Sequence, residues 1–359
     1  MDQTEKKLLL IRADANTSVG TGHVMRCLAL AQAWQDNGGT VTFLMAPGSP
    51  SLEQRICLEG MDVLTMSEQP GSNDDAIITA ETAKKTESLW VVVDGYQFGA
   101  EYQKILKEHN CRILFIDDYG HASHYYADLV LNQNIYADMS FYKKYESYTR
   151  FLLGTKFALL RREFLKWSGW HRDIPEVARK ILVTLGGSDP GNVTFKIIDA
   201  LRTIDLVGLE VKVVVGSENP HFKHIHKTMN DLSNFTLIKN VRDMPELMAW
   251  ADIAISGGGS TCWELAFMGV PGIIITFADN QRLISRHLSQ EISYVAIGEY
   301  ENISNEMLID AIQLLIISHH KRLEIFQKAQ KLVDGEGASR VIQKLKTCET
   351  EYENPFFRQ

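Results

Sequence analysis

The sequence predicts an α/β protein built from two domains, each with a parallel β-sheet covered by helices on both faces. Short apolar runs typical of buried strands alternate with segments of helical periodicity. This alternation breaks off near residue 160 and begins again near residue 180. A chain of 359 residues is also long enough for two domains of ordinary size, each with its own core.

The first domain is predicted to cover residues 1–160 and to contain five strands. They are 7–13, 40–46, 89–95, 111–118 and 129–134. The segment 23–38 predicts a helix because apolar residues such as Val24, Leu28 and Ala31 fall on one face. The glycines that follow it, Gly38 and Gly39, are typical of a helix end in the left-handed conformation.

The second domain is predicted to cover residues 179–345, after an interdomain connection at 161–178. Its predicted strands are 180–187, 209–216, 235–240, 251–259 and 272–277. The helical segment 331–345 is expected to end this domain. The polar tail at 346–359 carries no motif to which a role can be assigned.

Composition limits the class of protein. Apolar residues make up 45% of the chain and charged residues 23%, as in soluble globular proteins. A net charge of −8 argues against a nucleic-acid-binding surface. The five cysteines are scattered and lack CxxC spacing, which favours reduced, buried thiols over disulfides or a zinc site.

The sequence predicts a cytoplasmic protein that does not insert into a membrane. The polar start "MDQTEKK" shows no signal peptide, and no apolar run approaches the roughly 18 residues that span a bilayer. No coiled-coil pattern is present, so the sequence leaves the oligomeric state open.

Three strand-to-helix junctions are rich in glycine. They are "VGTGH" at 19–23, "LGGSDPGN" at 185–192 and "SGGGSTCWE" at 256–264. Ligands of open α/β sheets bind at the carboxyl ends of strands, where helix N-termini favour an anion. One such junction is a weak signal, because glycine also serves ordinary turns. Three of them, with Ser or Thr hydroxyls beside the glycines, indicate a phosphate-bearing ligand.

The standard nucleotide motifs do not fit these junctions. The first lacks the third glycine of the dinucleotide fingerprint, and no acidic residue ends the second strand to hold a ribose. The GxxxxGK[ST] pattern of P-loop proteins is also missing. NAD chemistry and P-loop ATP chemistry are therefore disfavoured, and no cofactor is predicted.

From about residue 8 to 345 the chain resembles the UDP-2,4-diacetamido-2,4,6-trideoxy-β-L-altropyranose hydrolases of pseudaminic acid biosynthesis and the related spore-coat polysaccharide proteins. The stretches that carry the resemblance include "RADANTSVGTGHVMRCLALA", "VVVDGY", "FIDDYG", "DLVLNQN", "VTLGGSDPGN", "ADIAISGGGSTCWELAFMGVP" and "ADNQ". The second half is also similar to the UDP-N-acetylglucosamine transferase that completes lipid II. The resemblance implies a GT-B architecture, with two Rossmann-like domains whose sheets face a central cleft that holds a UDP-sugar.

The resemblance implies that the second domain binds UDP. The residues it assigns to UDP are Gly187, Ser188, Gly258, Gly259, Ser260, Thr261 and Glu264. Those it assigns to the sugar are Gly20, Gly22, Arg26, Asp279, Asn280 and Gln281. From spacing alone, Glu264 reads as a solvated carboxylate favoured by a helix dipole, and the resemblance favours contact with the ribose instead. Asn280 and Gln281 can equally be plain turn residues.

His23 is the predicted general base. It begins a helix, where the positive end of the dipole disfavours the imidazolium form, and a neutral imidazole can accept a proton. Gly20 and Gly22 would let the sugar approach the backbone. The alternative is a histidine with a purely structural hydrogen bond. The resemblance favours the base, which would activate water for inverting attack at the anomeric carbon with loss of UDP.

The remaining candidates come from the same half of the chain. Tyr96 is expected either to contact the sugar and relay protons or to pack over the helices. Asp14 is expected either to orient His23 or to pair with Arg12. Asp117 and Asp118 point to opposite faces of a strand, so no required metal is predicted and one of them is expected to cap a loop. The other functions considered are a UDP-sugar-dependent glycosyltransferase and a nucleotide-sugar-binding protein without catalysis.

Overall fold

The computed structural model describes residues 7–15, 20–186, 189, 191–216, 219–239, 241 and 243–353, with side chains to residue 348. The described residues form two compact units. The first unit contains residues 7–15, 23–162 and 335–353. The second unit contains the described residues of 163–334, together with residues 20–22.

The first unit is built on a seven-stranded parallel sheet. Its strands are β1 (Leu8–Ala13), β2 (Thr40–Met45), β3 (Asp62–Thr65), β4 (Ser88–Asp94), β5 (Ile113–Ile116), β6 (Leu129–Asn132) and β7 (Arg150–Leu153). Their order across the sheet is β3-β2-β1-β4-β5-β6-β7. All five strands predicted for this half are confirmed, and β3 and β7 are additional strands at its two edges.

The second unit is built on a six-stranded parallel sheet. Its strands are β8 (Lys180–Thr184), β9 (Glu210–Val215), β10 (Phe235–Lys239), β11 (Ile253–Gly257), β12 (Gly272–Thr276) and β13 (Val295–Glu299). Their order is β10-β9-β8-β11-β12-β13. The five predicted strands are again confirmed, and the edge strand β13 is additional. Both sheets share the Rossmann strand order, in which the direction of winding reverses beside the first strand of each sheet.

Helices connect the strands and cover the sheets. They are α1 (Gly22–Asp36), α2 (Pro50–Leu58), α3 (Asn73–Lys85), α4 (Ala100–Glu108), α5 (Arg162–Leu165), α6 (Val193–Arg202), α7 (Phe222–Met229), α8 (Met244–Trp250), α9 (Thr261–Phe267), α10 (Asp279–Glu291), α11 (Asn305–Ile317), α12 (His319–Ala329) and α13 (Gly337–Glu353). The predicted first helix is confirmed as α1, and Gly38 after it has a φ of 85°. Among the described residues, no helix has the length and apolar character of a membrane span.

The last helix corrects the predicted domain boundary. Segment 331–345 was expected to end the second domain, but α13 belongs to the first unit. Val341, Ile342 and Leu345 are buried in an apolar layer that also contains Leu9 and Leu28. Helical periodicity shows that such a face must be buried, and it does not show which sheet will cover it.

The core of the first unit lies on both faces of its sheet. Leu9 and Ile11 point into a layer that includes α1 and α13, whereas Leu10 points into a second layer with residues of α3 and α4. Successive side chains of a strand point to opposite faces, so one apolar strand serves both layers. This double burial suits β1 to the interior of the sheet, where it lies between β2 and β4.

Candidate active site

The switch point of the first sheet lies between β1 and β4. These strands are neighbours, with Ala13 opposite Asp94 at their carboxyl ends. α1 follows β1 and begins at Gly22, so His23 lies in the first turn of a helix, as predicted. Gly20 has a φ of 78°, and a Cβ at Gly20 or Gly22 would meet no described protein atom within 4 Å. The glycines therefore leave open space beside the histidine.

His23 is oriented by Asp94. Its Nδ1 lies 2.7 Å from a carboxylate oxygen of Asp94 and 3.3 Å from an amino nitrogen of Arg26. A carboxylate only accepts hydrogen bonds and a guanidinium only donates them. Because the contact with Asp94 is shorter, Nδ1 carries the hydrogen and donates it to Asp94. The lone pair of the neutral ring is then on Nε2, which has no hydrogen-bond partner among the described residues.

Arg26 is held between two buried carboxylates. Its Nε and one amino group donate to Asp94 at 2.6 and 2.7 Å. The amino groups also donate to Asp118 at 2.7 and 3.2 Å. Four of its five N–H groups are therefore engaged within the protein. The assignment of Arg26 to sugar binding is corrected by this geometry, because the side chain binds Asp94 and Asp118 instead.

Asp118 gathers hydrogen bonds from three elements. Besides Arg26 of α1, the Tyr96 hydroxyl donates to it at 2.6 Å and the Asn134 amide at 2.8 Å. The ring of Tyr96 lies edge-on to the His23 ring, with centroids 4.9 Å apart. Tyr96 is thus placed beside the candidate base with its hydroxyl directed to Asp118.

Both carboxylates of this cluster stay ionised. Burial alone would raise the pKa of Asp94, but the charge of Arg26 and the hydrogen bonds from Arg26 and His23 hold it well below its ordinary value. Burial likewise opposes the charge of Asp118, and Arg26 and the Tyr96 hydroxyl lower its pKa. The histidine therefore faces permanent negative charge.

Asp14 pairs with Arg12, which is the second of the two predicted alternatives. Its carboxylate binds the Arg12 guanidinium and accepts from the Ala46 N–H at 2.7 Å and the Gln97 amide at 3.0 Å. Arg12 also binds Asp75 through two hydrogen bonds of 2.9 and 2.8 Å. The expectation that Asp14 orients His23 is corrected, because Asp94 provides that contact.

A second histidine of the first unit, the half-buried His121, is not available as a base. Nδ1 of His121 lies 3.2 Å from Asp117 and its Nε2 lies 3.1 Å from the Phe98 carbonyl oxygen. Both partners are acceptors, so both ring nitrogens donate and the ring is an imidazolium. Burial would lower the pKa of His121, but Asp117 and the Phe98 carbonyl raise it. Of these two histidines, only His23 has a ring nitrogen free to accept a proton.

The neighbouring aspartates Asp117 and Asp118 diverge, as predicted. Asp117 accepts from the backbone N–H groups of Tyr119 and Gly120 and from the Tyr125 hydroxyl, which makes it the loop-capping carboxylate. Asp118 turns to Arg26. Within the described residues, no group of three or more His, Cys, Asp or Glu side chains is arranged to hold a metal ion.

The second unit places its glycine-rich junction at its own switch point. β11 ends at Gly257 beside β8 and β12, and α9 begins at Thr261. Ser260 is the N-cap residue of α9 and makes no side-chain capping bond. Within the described residues, the N–H groups of Gly259 and Thr261 also have no hydrogen-bond partner. This helix end therefore presents unsatisfied donors, with Glu264 half-buried in its first turn.

The predicted sugar-side residues of this unit begin α10. Gln281 packs against the glycine junction, since a Cβ on Gly258 would lie 3.2 Å from its Cβ. Its amide oxygen accepts from the Phe277 N–H at 3.0 Å, so it also closes the turn into α10. Asp279 has an exposed side chain that pairs with Arg282 at 3.0 Å, and Asn280 is half-buried beside it. The structure thus brings the start of α10 onto the junction before α9.

The junction at 185–192 differs from the expectation. The N–H groups of Val193 and Thr194 at the start of α6 donate to the Asp189 carboxylate at 2.8 and 2.9 Å. This helix end is capped by the protein itself, so those two donors are not free for phosphate. Gly187 and Ser188, which were assigned to UDP, lie outside the described residues.

The sequence analysis did not identify Asp94 and Asn134 as residues of the candidate site, and it did not predict the contacts of Asp118 with Arg26, Tyr96 and Asn134. A signal was present, because each follows a continuous apolar run: "LWVVVD", "ILFIDD" and "LVLNQN". Polar residues at the carboxyl ends of buried parallel strands are placed where ligands bind. Which of them meet depends on strand order, and the sequence pattern does not contain that order.

Comparison with known proteins finds similarity to a known family in the second half of the chain and to named relatives over most of its length. Residues 181–345 match the family described as "Glycosyltransferase family 28 C-terminal domain". The chain is 27% identical over 333 residues to "Spore coat polysaccharide biosynthesis protein SpsG" of Bacillus subtilis, covering 92% of this chain and 95% of that protein. It is 24% identical over 285 residues to "UDP-2,4-diacetamido-2,4,6-trideoxy-beta-L-altropyranose hydrolase" of Campylobacter jejuni, covering 79% of this chain and 96% of that protein. Both groups that its motifs resemble are thus among its relatives.

Solved structures show the fold. MurG of Acinetobacter baumannii aligns with a TM-score of 0.63 at 15% identity and covers 95% of this chain and 99% of its own. This chain has the GT-B fold. The predicted fold class, two parallel-sheet α/β domains of the GT-B type, is confirmed.

Proposed function

We propose that the protein hydrolyses a UDP-linked diacetamido-trideoxy hexose at the anomeric C–O bond with inversion, releasing UDP and the free sugar. The first unit supplies the base and the second unit binds UDP. The free sugar would serve the biosynthesis of a nonulosonic acid of the pseudaminic type. The relatives named as such a hydrolase and as a polysaccharide biosynthesis protein support this choice of substrate.

The observation that carries the proposal is the free Nε2 of a histidine whose Nδ1 is held by Asp94. In the reaction, Nε2 takes a proton from water while the water oxygen bonds to the anomeric carbon. The bond from that carbon to the UDP oxygen breaks, and its electron pair leaves with UDP. Asp94 then faces the imidazolium and stabilises it.

Binding of the leaving group is supported by the start of α9. Free N–H groups at a helix N-terminus favour the growing charge on a departing diphosphate. UDP is already a good leaving group, so these donors could replace a dedicated acid. Loss of one such donor is expected to raise the barrier by about 3 kcal/mol. Asp279 and Asn280 at the start of α10 are proposed to bind the sugar, and Glu264 the ribose.

The test is to incubate the protein with the UDP-sugar and no acceptor in ¹⁸O-labelled water, and to follow the products by proton and phosphorus NMR. Hydrolysis as proposed releases UDP without label and gives a first-formed sugar of inverted anomeric configuration that carries the ¹⁸O. Label in UDP would show cleavage at phosphorus and contradict the proposed bond. UDP-N-acetylglucosamine in a parallel reaction tests whether the diacetamido sugar is required.

A glycosyltransferase is the second candidate, favoured by the family match of residues 181–345. In that case His23 would deprotonate a sugar hydroxyl instead of water. UDP release that depends strictly on an added acceptor would establish the transferase and exclude the hydrolase. UDP-sugar binding with no turnover under any of these conditions would leave a binding protein.

A further inference from the structure

The cluster behind His23 has a charge arrangement that the orientation of the ring does not require. One hydrogen bond to Asp94 is enough to fix the tautomer, yet Arg26 and Asp118 extend the cluster across three elements of the first unit. Arg26 is buried, and both carboxylates have depressed pKa values. Such an arrangement is costly to desolvate, which calls for an explanation beyond holding one ring.

The formal charges of the cluster can be counted from its contacts. Asp94 and Asp118 are carboxylates and Arg26 is a guanidinium, so the three together have a net charge of minus one. A neutral His23 leaves that charge uncompensated. When His23 accepts a proton, the cluster of four side chains becomes neutral.

The other titratable groups that face the cluster do not change this count. Burial raises the pKa of the Cys27 thiol of α1 and of the Tyr136 hydroxyl beyond β6, so both stay neutral. Burial also raises the pKa of Tyr119, and Tyr96 keeps its proton because it donates it to Asp118.

Among the described residues, a charged pair that also lies near Asp118 is neutral as a whole. Asp117 is a carboxylate and His121 is an imidazolium bound to it at 3.2 Å. The uncompensated charge that His23 faces therefore comes from Asp94, Asp118 and Arg26 together.

We propose that Arg26 and Asp118 are positioning residues that set the net charge beside His23 at minus one, so that proton uptake by His23 neutralises the cluster. The inference rests on the proposed function only in that His23 is the base. In a buried cluster, neutralisation on proton transfer favours the imidazolium that forms in the transition state. Asp94 orients the ring, Asp118 supplies the second negative charge, and Arg26 keeps the two carboxylates together.

The test uses two substitutions with opposite effects on the charge. Asp118→Asn removes one negative charge with little change of shape, and Arg26→Gln removes the positive charge. The ring of His23 is followed by ¹H–¹⁵N NMR across pH in the full-length protein and assigned by loss of its signals in His23→Gln. Asp118→Asn is expected to move its titration midpoint to lower pH, and Arg26→Gln to higher pH. Each shift is expected to be at least about one pH unit, because Coulomb's law at an effective dielectric constant of about 20 gives about three pH units at about 4 Å and about one at about 12 Å.

A third variant separates charge from hydrogen bonding. Asn134→Ala removes a hydrogen bond to Asp118 without changing any charge, so the midpoint of His23 is expected to stay where it is in the unsubstituted protein. In turnover assays, Asp118→Asn is expected to lower kcat about tenfold with KM unchanged, and to move the acidic limb of the pH profile in the same direction as the NMR midpoint.

Equal midpoints in the unsubstituted protein and Asp118→Asn, or a shift to higher pH in that variant, would overturn the proposal. Either charge variant decides the question alone if the other does not fold. The NMR titration needs no turnover, so its outcome is independent of whether the protein releases UDP without an acceptor. Failure of the hydrolase assay with the expected NMR shifts would reject the proposed function and keep the charge assignment.

Discussion

The two units place their candidate sites at the same topological position and build them from different chemistry. In the first unit, charged side chains of α1, β4 and the segment after β5 meet at the start of α1. In the second unit, the junction before α9 presents backbone N–H groups and is packed on the start of α10. Proton transfer needs a group that changes its charge, whereas a diphosphate needs donors with fixed geometry. Under the proposed function, the first unit is therefore the reactive unit and the second is the binding unit.

The largest expected effect in this comparison is that of His23→Ala. Removal of the proposed base should lower kcat by about 10²- to 10⁴-fold, the usual contribution of a general base. UDP affinity, measured by calorimetry, should stay unchanged because UDP is assigned to the second unit. His124→Ala is the matched control, since His124 is a surface residue of the same unit that pairs with Glu146 at 2.8 Å. Equal turnover in both variants would remove the basis for a reactive first unit.

Asp94→Asn tests whether turnover depends strongly on a single side chain of the cluster around His23. The change replaces one carboxylate oxygen by an amide NH2 group, which removes the negative charge and leaves one acceptor oxygen for the groups of His23 and Arg26 that now share two. We expect kcat to fall on the order of 100-fold with KM nearly constant. In the second unit, Ser260→Ala removes only a hydroxyl beside backbone donors and should weaken UDP binding by about tenfold or less. A reversed order of the two effects would contradict the comparison.

The sequence was sufficient for the regular part of the fold. All ten strands it predicted are present; nine of them are central strands, and the tenth, β10, lies at the edge of the second sheet. The strands it missed, β3, β7 and β13, all lie at sheet edges. An edge strand packs on fewer neighbours and stays partly exposed, as in "DVLT" of β3, so it lacks the continuous apolar pattern.

The candidate sites were predictable to different degrees for a related reason. Glycine junctions are local in sequence, so Gly258 and Gly259 could be placed at a helix start. His23 could be placed in the same way. The contacts of His23 join residues 23 and 94, and those of Arg26 join residues 26 and 118. Such contacts follow from the order of β1, β4 and β5, and for that reason Asp94 was missed.

Two adjacent glycines in the second unit give the next prediction. A Cβ on Gly258 would lie 2.7 Å from the Ser285 hydroxyl and 3.3 Å from the Gln281 carbonyl oxygen, whereas one on Gly259 would meet only the Gln281 amide at 4.0 Å. Gly258→Ala should therefore lower stability by about 1–3 kcal/mol through overpacking. Gly259→Ala should leave the unfolding temperature unchanged. It should weaken UDP binding by about tenfold, because the added methyl group would meet the bound ligand instead of the protein.

The paired variants are compared by thermal unfolding and by UDP titration. Gly258→Ala serves as the control for damage to the protein. If Gly259→Ala binds UDP as well as the unsubstituted protein does, the diphosphate does not approach this junction closely. That result would weaken the assignment of the second unit as the binding unit while leaving the first unit untouched.

The smallest expected effect concerns the imidazolium of His121, which belongs to the reactive unit without taking part in the reaction. Its pKa is raised in the folded protein, so its contribution to stability is fully present below the unfolded value of about 6.5 and is lost as pH rises through the folded value. His121→Gln should therefore cost more stability at pH 6 than at pH 9, by up to about 1.4 kcal/mol for each pH unit by which the pKa is raised. Chemical unfolding of the unsubstituted protein and of His121→Gln at several pH values measures the gap between their free energies of unfolding. The other titrating groups contribute equally to both proteins and cancel in this gap. A gap that stays constant with pH would mean that folding does not raise the pKa of His121. The ring would then be neutral above about pH 6.5, and the uncompensated carboxylate of Asp117 would add to the negative charge near His23.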